Sequence, residues 1–417
     1  MPLLTSFVAL IGAAADGRLF TTLKTRIGAA MMLLTCMYAI NIPFSSWRGQ
    51  SLHIFTDEWM KSFTAFLLAG AVVVTFQECR TALNSIGWGA GIASLITLYL
   101  GRGSSGRLQT AHGTLSNSNE IAFLLLLGLP FLALMVLDKD AAKLKRMLAF
   151  FFAVSSLYAL VRTGSRAGLL GLAILGLMTF FRVSVPAKLA MIVAAGVLAA
   201  GVVVVMPGVA KRYATMFRGS SEMSQATSAE EAHELDMAIN STQGRRQLLV
   251  NSIKLTLQHP ITGVGMGAFG AVMAEHEISE GQHAGFQGTH NTYTQISSEA
   301  GIPALLCFVC IILFSMLDLR AVYKRARGKV TKVGKQIADV SFALIASLVA
   351  YAVCVAFDFV AYNPTLPILA GFAIALSAVA QNALDAADYA ESQPQPATRT
   401  ILMPMRGRSA MAQPRFR

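Results

Sequence analysis

The sequence predicts an all-α fold: a polytopic membrane bundle of 10–12 transmembrane helices with one large extracytoplasmic segment. Three observations lead there. Of the 417 residues, 54% are hydrophobic and only 13% charged, about half the ~25% charge of a soluble domain, and mean hydropathy is +0.56. Apolar stretches near the ~20 residues needed to cross a bilayer recur along the chain. Lys and Arg gather in alternate loops. A cytosolic enzyme or nucleic-acid module is excluded, because no water-soluble fold hides so much apolar sequence. The formal charge of +12 is therefore a topogenic signal and not a sign of nucleic acid.

Taken in order, spans are expected at about 27–45, 60–77, 83–100, 120–137, 147–162, 166–182, 188–207, 302–319, 339–360 and 364–383. Residues 3–14 form either an eleventh span or an interfacial helix. With no basic flank before the apolar core and no suitably placed A-x-A, they do not read as a signal peptide. The loops at 16–26, 78–82, 138–146, 182–188 and 318–339, with the tail from 384, carry 22 of the 34 Lys and Arg and 9 of the 22 Asp and Glu. By the positive-inside rule these loops are cytoplasmic. The division expected is 1–207 helices, 208–301 the external segment, 302–383 helices, and 384–417 a basic, disordered tail.

The external segment departs from the rest in composition, holding His233, His259, His276, His283 and His290. Residues 219–243 lack an apolar period and read as a mobile loop or short surface helix. From Arg245, Leu248, Leu249, Ile253 and Leu257 predict a helix on the membrane face. The five cysteines, Cys36, Cys79, Cys307, Cys310 and Cys354, lie in or beside apolar spans. Cys307-x-x-Cys310 reads as small packing residues in a bundle, not as a redox or zinc pair.

Four polar clusters fall on the outer face. In the first, Ser116-Asn117-Ser118-Asn119-Glu120 precedes a span, and Asn119 and Ser116 could serve as helix caps; Arg102, Arg107 and His112 add charge upstream. In the second, Arg162-Thr-Gly-Ser-Arg166 is a tight turn between two spans. Its arginines either snorkel or present planar forks to phosphate oxygens, and they oppose the charge bias of the other loops. The third joins Arg245-Arg246 to His259-Pro-Ile-Thr-Gly263-Val-Gly265-Met-Gly267-Ala-Phe-Gly270. A dinucleotide reading of this G-x-G-x-x-G fails because no strand precedes it. The glycines instead allow sharp turns and close approach to a ligand or helix, and His259 reads as a turn residue. The fourth runs from His290-Asn291-Thr-Tyr293 to Glu299-Ala-Gly301-Ile-Pro303. His290, with an ordinary pKa of about 6.5, is either structural or a general base for an alcohol nucleophile. Glu299 either orients that imidazole or is an ordinary helix acid. No H-E-x-x-H, Walker A or G-x-S-x-G motif occurs, so no metal site and no cofactor are expected.

In this order, the clusters resemble the O-antigen ligase / O-antigen polymerase superfamily. The matching pieces are Ser116–Glu120, where Asn-Ser-Asn stands for the family's usual Asp-Pro-Asn and Asn119 keeps the match, then Ser165-Arg166, Arg245 with His259-Pro-x-x-Gly-x-Gly, and His290-Asn291-x-Tyr293 with Glu299 and Gly301. The resemblance implies a metal-independent, inverting glycosyltransferase of a bacterial inner membrane, with its site facing the periplasm. The donor would be an undecaprenyl diphosphate-linked polysaccharide. The acceptor would be a lipid A-core sugar in a ligase, or another lipid-linked unit in a polymerase; a related transferase would modify protein. Arg166, Arg245 and His290 map onto the family's essential residues. Asn119, Arg162, Arg246, His259, Asn291, Tyr293 and Glu299 are expected to bind substrate. A lipid-linked glycan transporter is the reading from another class. It predicts internal repeats and mid-membrane charges; no repeat is seen, few charges fall at span centres, and the polar clusters all face one side.

Overall fold

The computed structural model describes residues 2–101, 107–110, 117–214, 229–279 and 287–392. These residues form helices and no strands. In chain order they are α1 (Pro2–Ala15), α2 (Arg18–Lys24), α3 (Arg26–Asn41), α4 (Arg48–Ile54), α5 (Met60–Ala71), α6 (Phe76–Leu100), α7 (Ser118–Leu137) and α8 (Lys143–Arg162). There follow α9 (Arg166–Phe180), α10 (Val185–Val205), α11 (Pro207–Ala214), α12 (Ala229–Gln258), α13 (Phe269–Ser279), α14 (Thr292–Arg327), α15 (Lys332–Cys354) and α16 (Thr365–Ser392).

Among the described residues, eight helices are long and apolar enough to cross a membrane, and α1 with α2 makes a ninth if that pair, bent by 80°, is one span. The chain is a multi-pass membrane protein. The count falls below ten because two expected spans are short. α5 has 12 residues and α9 has 15, rising roughly 18 and 22 Å against a ~30 Å hydrocarbon core. The helical run into α5 does begin earlier, through a π-turn at Phe55–Trp59. However, Arg48, His53, Asp57, Glu58 and Lys61 make its first half polar.

The core lies among α3, α5, α7, α14, α15 and α16, around the fully buried Tyr38, Trp59, Phe66, Phe131, Phe308 and Tyr351. Tyr38 meets Trp59 edge-on at 4.7 Å, and Trp59 Nε1 donates to Thr35 Oγ1 at 3.1 Å. Lipid gives no hydrophobic drive between helices, so close packing and buried hydroxyls must hold them. Ser94 and Ser155 Oγ are 2.7 Å apart across α6 and α8, and Ser347 Oγ donates to Leu127 O at 2.9 Å across α15 and α7.

The basic loops meet at one end of the bundle. There Arg26 pairs with Asp318, Arg80 with Asp138, Arg182 with Asp339, Arg325 with Asp385, and Lys329 with Asp388. The starts of α7, α9, α14 and α16 lie at the opposite end, with α12 and α13 beside them.

Three local expectations change. The helix expected from Arg245 begins at Ala229, so 229–243 is helical, while 219–228 lies outside the described residues. Its buried face is Leu248, Ser252, Leu255 and Thr256, packed on α13, the glycine loop and α14; Ile253 and Leu257 are exposed. α16 continues to Ser392, so the expected disordered tail is helical from 384 to 392; its remainder, 393–417, lies outside the described residues. Arg102, His112, Ser116 and His283 also lie outside them.

Candidate active site

The turn between α8 and α9 is built by its own side chains. Gly164 takes a left-handed φ of 59°, a conformation that costs glycine little. Ser165 caps α9, its Oγ accepting from Gly168 N at 3.2 Å, and the same hydroxyl donates to Asn119 Oδ1 at 2.9 Å. Arg107 closes the arrangement, Nη2 donating to Asn119 Oδ1 at 3.2 Å and Nε to Thr163 O at 3.0 Å. Asn119 thus ties the start of α7 to this turn, while the cap of α7 is Asn117, whose side chain accepts from Asn119 N.

Arg166 is the first residue of α9. A cation there opposes the positive end of the helix dipole. It also lies within electrostatic reach of a second cation, Arg245. A guanidinium at a helix start with a second within electrostatic reach attracts an anion, and the two repel each other without one. Arg245 is exposed on α12 and makes no hydrogen bond or ion pair among the described residues.

The start of α14 is stitched to the segment after α15. Asn291 caps α14, accepting from Thr294 N at 3.1 Å, and its Nδ2 donates to Ala356 O at 3.0 Å. Tyr293 OH donates to Ala352 O at 2.8 Å, and Thr292 Oγ1 donates to Asp358 O at 2.9 Å. These bonds bring His290 onto Phe359, ring centroids 5.1 Å apart and nearly perpendicular. His290 has a left-handed φ of 51°, uncommon outside glycine and concentrated at functional sites. Burial, and then the charge of Arg245, hold its pKa below the ordinary histidine value. The imidazole is therefore kept neutral and able to accept a proton.

Asp358 is the residue that sequence reasoning missed. It is 4% exposed. Oδ1 accepts from Phe359 N at 3.0 Å, and Oδ2 is buried with no hydrogen-bond partner among the described residues. Arg245 and Glu120 lie within electrostatic reach of it. The signal was present: an Asp inside the apolar run 339–360 is costly without a task.

The structure thus gathers Arg166, Arg245, His290 and Asp358, with Glu120 beside them, at one end of the bundle. Other expected site residues serve as supports or lie elsewhere. Arg162 leans back on its own helix, its guanidinium 6.0 Å from the Tyr158 ring. Arg246 is exposed, with no bond to the cluster among the described residues. His259 follows the last turn of α12, about 21 Å along the axis from Arg245, and is exposed.

Glu299 is buried at the glycine loop. Its Oε2 accepts from Tyr362 OH at 2.6 Å and Gln295 Nε2 at 3.4 Å, and its Oε1 from Phe269 N at 3.3 Å. No hydrogen bond joins it to His290 among the described residues. The glycines let the loop approach other segments closely, Gly263 against the Glu299–Ala300 backbone and Gly265 against Ser45 and Ser51. Gly301 breaks α14 with φ 87° and ψ 169°, and the freed carbonyls of Ser298 and Glu299 accept from Val264 N at 2.8 Å and Gly265 N at 2.9 Å. Asn41 Nδ2 donates to Ala300 O at 2.9 Å, so the carbonyls of residues 298–300 each have a partner at the break. Among the described residues no group of three His, Cys, Asp or Glu is arranged to hold a metal.

Residues 151–309 match the family model described as O-antigen ligase. That stretch contains Arg166, Arg245, His290 and the glycine loop; Asn119 precedes it and Asp358 follows it. The match supports the superfamily that the motifs resemble, and with it a membrane glycosyltransferase of the O-antigen ligase or polymerase kind. No curated protein matches the chain.

Proposed function

We propose that the protein is the ligase of this superfamily, moving O-antigen polysaccharide from undecaprenyl diphosphate to a sugar hydroxyl of lipid A-core at the periplasmic face of the bacterial inner membrane. The observation that carries this is the electrostatic meeting of Arg245 with both Arg166 and His290, three residues far apart in sequence. A diphosphate-linked sugar is already activated, so the enzyme has two tasks: to stabilise the charge growing on the departing diphosphate, and to take a proton from the incoming hydroxyl. The two guanidiniums suit the first as preorganised electrostatic groups. The neutral imidazole suits the second. The acceptor oxygen bonds to the anomeric carbon as the carbon–diphosphate bond breaks on the opposite side. The configuration inverts, His290 holds the proton, and undecaprenyl diphosphate leaves with the bonding pair. In this reading residues 208–301 form the catalytic segment, and a groove open to lipid admits the prenyl tail.

Reconstitution tests it. The full-length protein in proteoliposomes, in excess chelator, is given lipid-linked polysaccharide with either lipid A-core or a second lipid-linked unit. Elongated lipid A-core is the result expected; elongation of the lipid-linked unit alone identifies a polymerase instead.

A further inference from the structure

The end of the bundle opposite His290, which the charge bias marks as cytoplasmic, holds a cavity of about 280 Å³ between the ends of α9, α14 and α15. Its charged lining is Arg182, Arg327, Lys329, Lys335 and Asp339, four cations against one carboxylate. Two of the cations are committed to the protein. Arg182 pairs with Asp339 and lies over the Phe342 ring at 4.2 Å, and Lys329 is held by Asp388 at 2.5 Å. The other two are not. Arg327 and Lys335 form no ion pair among the described residues, and Arg327 reaches only Tyr323 OH, at 3.5 Å. A concave surface lined by one sign of charge focuses the field and concentrates counter-ions. The lining therefore selects an anion that can take contacts from two separate cations.

The rim indicates where that anion comes from. Val330, in the lining, is fully exposed, and Phe181, beside Arg182, is 73% exposed. Apolar side chains bordering a basic recess at a helix-bundle end match the boundary between headgroups and acyl chains, where basic pockets hold anionic lipid headgroups. The chain's own remaining segment does not fit, since residues 393–417 carry five Arg and no Asp or Glu. We propose that this cavity binds the phosphodiester headgroup of an anionic lipid, with Arg327 and Lys335 as the phosphate ligands.

The test uses the full-length protein in phosphatidylcholine vesicles containing one-tenth phosphatidylglycerol, with spin-labelled phosphatidylglycerol or phosphatidylcholine as probe. The wild type is expected to hold the labelled phosphatidylglycerol in preference to phosphatidylcholine. Arg327→Gln with Lys335→Gln should weaken that association about 25-fold, roughly fivefold per cation near a membrane surface. Arg320→Gln with Lys324→Gln removes the same charge from exposed positions on α14 outside the cavity and should weaken it less than threefold. Equal losses from the two pairs, or no preference in the wild type, overturn the proposal in favour of a diffuse surface potential. Displacement of the lipid label by millimolar inorganic phosphate also overturns it, making the site one for a soluble phosphate. If the double variant fails to insert, Lys335→Gln alone should lose about fivefold, and an unchanged association there is equally decisive.

Discussion

Asn119 is the most informative position for separating orientation from contact. Its Oδ1 accepts from Ser165 Oγ and from Arg107 Nη2, and Ser165 sets the first turn of the helix that carries Arg166. Asn119→Ala removes both bonds. A neutral hydrogen bond contributes about 1 kcal/mol and one from a charged donor roughly 1.5–3 kcal/mol, so the turn loses about 2.5–4 kcal/mol of restraint. A misplaced catalytic group commonly costs about 10²-fold, and glycan transfer in proteoliposomes is expected to fall by that order. The apparent Tm should fall only a few degrees, because the loss is confined to one end of the bundle. Asn119→Asp keeps an acceptor for both donors and should stay within about tenfold of wild type. Near-normal transfer by Asn119→Ala refutes the reasoning, as does an aspartate variant as inactive as the alanine one.

Further expectations follow from the same geometry. Arg166→Lys keeps the charge and loses the bidentate fork, and transfer should drop about 10²-fold; full activity would reduce Arg166 to a snorkelling residue. The protonated form of His290 is disfavoured by burial and by Arg245, so the neutral base survives to lower pH. The acid limb of the pH–rate profile should thus lie below about 6.5, and in the residual activity of Arg245→Gln it should move upward. Gly265→Ala should leave little folded protein by fluorescence-detected size exclusion. Its Cβ would sit 1.9 Å from Ser45 Oγ at φ +111°, a clash with a sterically forbidden backbone.

The helical class and most spans were legible because the bilayer sets a length and a composition that a single sequence displays. The convergence of Arg166, Arg245 and His290 was legible only through motif order, since no local pattern reports a distance across 125 residues. Asp358 was hidden inside an apolar run and became visible once its carboxylate was found buried, bonded to Phe359 N and within electrostatic reach of Arg245. Glu299 read either as an orienter of His290, nine residues away, or as an ordinary helix acid. Its actual task depends on the break at Gly301, a tertiary feature that turns the carbonyls of 298–300 toward the glycine loop. Of the apolar period read for α12 from Leu248, Leu249, Ile253 and Leu257, Leu248 packs toward α13 together with Leu255, while Ile253 and Leu257 are exposed.

Donor binding measured beside transfer tests the central claim most directly. His290→Ala and the double variant Arg166→Gln/Arg245→Gln are titrated with undecaprenyl diphosphate-linked glycan in nanodiscs and then supplied with acceptor. A base that acts only on the acceptor leaves donor affinity within about threefold while transfer falls roughly 10²–10⁴-fold, and the arginine variant loses the affinity itself. Near-normal transfer by His290→Ala, or undiminished donor affinity without both guanidiniums, would contradict the account.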